Sequence, residues 1–172
     1  VTLEVDCLGG HSATCPVRCE KCGAVRARAV AWLVQQQTKS GGWHTGLGGN
    51  NGLVVVSTLG GLALEGAGGQ QKAVRRAAEY VAKVCGAPDR FDQLRAQRGG
   101  ANWSQVNWPL GYAPLLLTAF PQDRTMREKL SEIAAKLVSN QESTGGYAHG
   151  PGGPNALDYL ELEIVSNYAL AS

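Results

Sequence analysis

Two stretches of this chain carry almost no charge. Residues 51–66 (NGLVVVSTLGGLALEG) have none before Glu65, and residues 108–120 (WPLGYAPLLLTAF) have none at all. Around them lie stretches with apolar residues at helical spacing and a charged opposite face. Residues 70–85 carry Lys72, Arg75, Arg76, Glu79 and Lys83, and residues 123–140 carry Arg124, Arg127, Glu128, Lys129, Glu132 and Lys136. A helix with one apolar stripe leaves its other face wet, whereas a helix apolar nearly all round has to be covered on nearly all sides. The pattern predicts six helices, near 24–38, 51–66, 70–85, 107–119, 123–140 and 155–170. The even-numbered helices are expected inside and the odd-numbered ones outside, so the fold class is all-α, with three helical hairpins side by side in two layers.

Local punctuation supports these limits. Glycine pairs (Gly41-Gly42, Gly60-Gly61, Gly68-Gly69, Gly145-Gly146, Gly152-Gly153) fall mostly between the periodic stretches, where tight connections belong. Asn51, Asn107 and Asn155 stand at the expected starts of the inner helices, where an asparagine side chain caps free amides of the first turn. Pro109 then falls in a first turn, which tolerates a missing N–H, while Pro114 predicts a kink. The connection over residues 86–106 is long, contains Pro88, Phe91, Leu94 and Trp103, and has room for a short helix around Asp89–Gln97.

Composition narrows the picture without naming a reaction. The chain has 172 residues, of which 44% are hydrophobic, enough for one ordinary domain with a real core. A net charge of +2 gives no reason to expect nucleic acid or an acidic partner. No run of about 18 apolar residues exists, so no membrane-spanning helix is expected. No signal-peptide pattern is read, and a first residue of Val1 rather than Met leads to the expectation of a processed or truncated chain.

Residues 1–23 differ from the rest and are read as a separate Cys-rich knuckle, with residues 24–172 as the helical part. The segment holds Cys7, Cys15, Cys19 and Cys22, with His11 as an alternative ligand. Thiolates at short spacing, above all Cys19-x-x-Cys22, suit a tetrahedral structural zinc. Two disulfides are the other reading, natural for an exported protein. The compartment follows the chemistry: cytoplasmic with zinc, exported with disulfides. Haem attachment is not expected because Gly23, not His, follows Cys22, and no nucleotide is expected either. Cys85, at the end of the third helix, reads as a core residue.

A repeat runs through the helical part. Arg28, Ala29, Trp32, Leu33, Gln37, Gly41 and Trp43 occur at fixed spacings, and Leu137, Gln141, Gly145, Gly146 and Tyr147 form a second copy that has Glu132 and Lys136 in place of the basic and first aromatic residues. A degenerate middle copy lies near Gln97 to Trp103. The first copy resembles the QW motif of triterpene cyclases at every defined position. The resemblance, over residues 24–172, implies the α/α-toroid fold of terpenoid cyclases and protein prenyltransferases, and the chain looks like the bacterial prenyltransferase and squalene oxidase repeat proteins. It implies a mechanical role for the motif, in which the Gln side chain bridges backbone groups at the end of an outer helix and the start of the next inner helix while the aromatic stacks over it. Three hairpins make only part of a toroid. The acidic Asp cluster of squalene-type cyclases is not found, nor is the zinc set of protein prenyltransferases.

The loops that lead into the inner helices carry the remaining candidates. Trp43 and His44, Trp103 and Trp108, and Tyr147 and His149 are ligand-binding candidates if those loops converge on one rim. His44, His149, Asp158 and Glu161 are candidate catalytic groups, since Asp158 and Glu161 share a helical face and paired carboxylates do acid–base work or hold a cation. The bland readings stand beside these: Trp43 and Tyr147 as braces, the asparagines as caps, and Asp158, Glu161 and Glu163 as an exposed flank. Two function classes remain: a non-catalytic binding or assembly module stabilised by zinc, and a cyclase- or lyase-like enzyme using the rim His and acidic residues. Open apolar flanks predict self-association or a larger subunit that completes the ring.

Overall fold

The computed structural model describes residues 20–44, 49–87 and 105–150, with side chains from residue 23 onward. Among these residues the chain forms five helices and no strand: α1 (Glu20–Gln36), α2 (Gly49–Ala67), α3 (Gln71–Val84), α4 (Asn107–Leu117) and α5 (Arg124–Asn140). The described part is all-helical, as the periodicity predicts. The sixth helix expected at 155–170, the middle motif copy and the short helix near Asp89 lie outside the described residues.

The two charge-poor helices lie against each other, because few of their side chains favour water. Helix α2 packs against α1, α3 and α4, and α4 packs against α2, α3 and α5. Val54 and Leu64 of α2 meet Leu110, Ala113, Leu116 and Leu117 of α4, all of them buried. The charged helix α3 closes the core with the stripe Ala73, Val74, Ala77, Ala78, Val81 and Ala82, and its charged residues Arg75, Arg76, Glu79 and Lys83 stay exposed. Small residues set how close the layers come. A methyl group at Gly61 would lie 2.6 Å from Leu116 Cδ2, so Gly61 is what lets α2 and α4 meet there. Each fully buried leucine of this set contributes on the order of 1.5–3 kcal/mol by leaving water.

Helix α5 begins at a side-chain cap. Asp123 accepts a hydrogen bond from Met126 N at 3.1 Å and forms an ion pair with Arg75 of α3. That backbone bond, followed by the Arg75 charge, holds the Asp123 carboxyl below its usual range.

Two of the three expected caps have other roles. Helix α2 begins at Gly49, so Asn51 lies inside the first turn, where it is buried. Asn107 is the first residue of α4 and is 1% exposed; its side chain points to another part of the molecule rather than capping its own helix. Asn155 lies outside the described residues. Pro109 sits in the first turn of α4 as expected, and the helix ends at Leu117, three residues after Pro114. One face of α2 departs from full burial: Leu59 is 48% exposed, on the side of α2 that carries Ala63.

Candidate functional site

The first motif copy folds into a brace at the end of α1. The Gln37 side-chain amide donates to Gly41 O at 2.7 Å and to Ala73 O at 2.8 Å. The second bond reaches the first turn of α3, not the start of α2, so the brace ties one peripheral helix to the next. Arg76 of α3 donates to Thr38 O and reinforces the same junction. The chain reverses through a turn in which Gly41 N donates to Thr38 O and Thr38 N donates to Gly42 O. Gly41 has φ +102°, a conformation that glycine adopts freely and other residues rarely do. Trp43 is buried; its indole N–H donates to Leu33 O at 2.9 Å, and its ring lies on Gly60 of α2, where a methyl would come within 2.9 Å.

The second copy repeats this geometry 104 positions on, from Gln37 to Gln141. The Gln141 amide donates to Gly145 O at 2.8 Å, Gly145 N donates to Glu142 O, Glu142 N donates to Gly146 O, and Gly145 has φ +93°. Tyr147 is buried in the place of Trp43. The preceding helices agree as well, since α1 and α5 are both 17 residues long and begin and end at the same offset. The loss of the basic and first aromatic residues from the second copy does not change the turn.

Around the second brace the structure brings three candidates together at the start of α4. Asn107 Nδ2 donates to Ala148 O at 2.9 Å, Asn107 N donates to His149 O at 3.0 Å, and Asn140 Nδ2 donates to Asn107 Oδ1 at 2.7 Å. Trp108 donates its indole proton to His149 Nδ1 at 2.6 Å and stacks on Tyr112. Burial lowers the His149 pKa below its ordinary 6.5. The imidazole therefore stays neutral at physiological pH, with Nδ1 as an acceptor. Tyr147 leads into the same loop. This polar clasp has no signal in the sequence, because Asn107 and Asn140 are isolated positions and an asparagine at a helix start reads as a cap.

Trp43 and His44 belong to a different feature. Beside the first brace, α1 and α2 enclose an open groove of about 500 Å³, walled by Trp32, Leu33 and Gln36 from α1 and by Val56, Leu59 and Ala63 from α2, with Trp43 and His44 at one end. His44 is exposed there. Its lining is apolar except for Gln36 and His44.

The remaining candidates lie outside the described residues: Trp103, Asp158, Glu161, and the metal set Cys7, His11, Cys15 and Cys19. Cys22 falls in the first turn of α1. Among the described residues no group of three or more potential metal ligands occurs. Cys85 is a core residue, as read. It is 2% exposed, its thiol donates to Pro109 O at 3.6 Å, and burial pushes its pKa up to about 12. Among the described residues no helix is long and apolar enough to cross a membrane. Comparison with protein-family models, curated proteins and solved structures finds no match for this chain.

Proposed function

We propose that this chain is a non-catalytic binding or assembly module. Its helical hairpins belong to the prenyltransferase and squalene-cyclase type of repeat and form part of an α/α toroid, and the segment 1–23 holds a structural zinc through Cys7, Cys15, Cys19 and Cys22. The observation that carries this reading is the pair of equivalent braces that end α1 and α5. A unit built twice with the same turn, the same glutamine and the same buried aromatic is the signature of a stacking repeat, whose terminal units keep apolar faces that need a neighbour. Exposed apolar side chains stand on the first and last of the described helices: Val25 and Trp32 on α1 (56% and 59% exposed) and Val138 on α5 (73%).

The chemistry of the described polar groups supports binding over catalysis. The His149 nitrogen nearest the aromatic cluster is occupied by the Trp108 proton, and Asp123 is committed to a helix cap and to Arg75. The paired carboxylate candidates, Asp158 and Glu161, lie outside the described residues. The test is the solution mass of the full chain by light scattering across the micromolar range. A defined oligomer is expected; a monomer of normal solubility at every concentration overturns the reading.

A further inference from the structure

One exposed face of α1 is not built to stay wet. Val25, Ala29, Trp32 and Gln36 follow one another at spacings of four, three and four, which keeps them in one seam along the helix. All four are exposed, Val25 at 56% and Trp32 at 59%. Helix α1 turns other residues to its own chain: Arg26 donates to Gly66 O of α2, and the Gln37 that follows the helix donates to Ala73 O of α3. Arg28, the other charge over residues 23–36, lies at the edge of the seam, not within it. Leu59 (48% exposed) and Ala63 of α2 stand across the groove from Trp32 and enlarge the patch. The internal repeat shows what the same positions carry on a helix whose face is wet. At the offset of 104 positions, the counterparts of Val25 and Trp32 on α5 are Lys129 and Lys136, and Lys136 is exposed. The brace tolerates lysine there, so it does not demand the valine and tryptophan of α1.

We propose that this seam, with Leu59 and Ala63 beside it, is the docking site for the same seam of a second copy, so that α1 pairs antiparallel with itself about a two-fold axis. The seam is complementary to its own copy. When the axis crosses α1 between Val30 and Ala31, Trp32 of each copy falls opposite Ala29 of the other, and Val25 falls opposite Gln36. One midpoint serves both pairs. Each bulky indole therefore meets a methyl group and never its own duplicate, and no charged residue is buried between the helices. That is the condition an isologous contact sets, in which residue i meets j and j meets i. A partner of unrelated surface gives no reason for two pairs to share a midpoint. A buried tryptophan at the centre of such a contact is the residue type that carries most of its binding energy. This proposal rests on the assembly-module reading and assigns its interface.

Sedimentation velocity of the full chain tests it. The wild type is expected to associate. Trp32→Glu, which removes the anchor, and Ala29→Lys, which puts a charge where the ring lands, should each weaken association by about tenfold or more. Both positions are exposed in the single copy, so circular dichroism of either variant should match the wild type. Val138→Glu changes a side chain that is 73% exposed but lies on α5, off the seam, and should leave association unchanged. The antiparallel register makes a sharper demand. An equimolar mixture of Ala29→Lys and Trp32→Glu should associate about tenfold more tightly than either variant alone. In the mixed pair the introduced lysine meets the introduced glutamate, and the remaining Trp32 meets the remaining Ala29. A wild-type oligomer insensitive to both seam variants overturns this interface and leaves the module reading standing, the seam then being covered from within the chain or by another partner. Variants that gain nothing on mixing overturn the two-fold register, and weakening by Val138→Glu as large as by Trp32→Glu overturns the seam as the contact. A monomeric wild type overturns both proposals.

Discussion

Gln37 and Ala73 are joined across the first two peripheral helices: the glutamine side-chain amide donates to the alanine carbonyl at 2.8 Å while also holding Gly41 O at 2.7 Å. One side chain thus fixes both the turn after α1 and the position of α3. Among the described residues Gln141 makes only the local bond, to Gly145 O, and it is exposed. Gln37→Ala should cost about 1–3 kcal/mol, since it strands buried acceptors, whereas Gln141→Ala should cost about 1 kcal/mol or less. Urea denaturation of the two variants measures the difference, and an unchanged slope would confirm that the loss lies in stability rather than compactness.

The glycines of the two turns should differ in the same direction. Both need a positive φ, at +102° for Gly41 and +93° for Gly145. A methyl at Gly41 would also overlap the backbone carbonyl of Arg76, whereas at Gly145 the nearest atom, Gln141 Nε2, is 4.0 Å away. Gly145→Ala should cost about 1–2 kcal/mol, the backbone penalty alone, and Gly41→Ala clearly more, because α3 has to move. Thermal unfolding of both variants checks the order.

His149 gives the fold a pH dependence of known sign. Its folded pKa lies below the ordinary 6.5 because burial disfavours the charged ring, and the Trp108 bond requires an unprotonated Nδ1. The unfolded state therefore binds the proton more readily between the two values. This contribution to stability is fully present above pH 6.5 and is lost as pH falls through the folded value. Denaturation midpoints should fall on acidification through that window, and His149→Gln should flatten this part of the profile. An unchanged slope in the variant would exclude the clasp as its source.

The cysteines should separate into two populations. Cys85, with its thiol pushed up to about 12 and 2% exposed, should resist alkylation in the native chain and react only on unfolding. If Cys7, Cys15, Cys19 and Cys22 hold zinc, elemental analysis should find one zinc per chain, and a chelator should expose four thiols to the same reagent. Four cysteines that react only after a reductant is added would mean disulfides instead.

The sequence made the helices legible because their signals are periodic and redundant. Charge-poor strings over 51–66 and 108–120 had to lie inside, and glycine pairs marked where the chain turns. The motif copies made the braces legible as well, since Gln, Gly and an aromatic recur at one spacing. What escaped was long-range polar contact. The second bond of Gln37 goes to α3 rather than α2, and Asn107 and Asn140 pair across two helices. Such partners have no sequence spacing to reveal them, and an asparagine at a helix start reads as a cap unless its burial is known.

The central claim is that one brace is built twice. A crystal structure of the full chain tests it most directly, by overlaying residues 20–43 on 124–147. The account predicts that the side-chain amides of Gln37 and Gln141 fall on the carbonyls of Gly41 and Gly145, that both glycines keep a positive φ, and that Trp43 and Tyr147 occupy the same buried position. Divergent turns, or either glutamine directed into solvent, would contradict it.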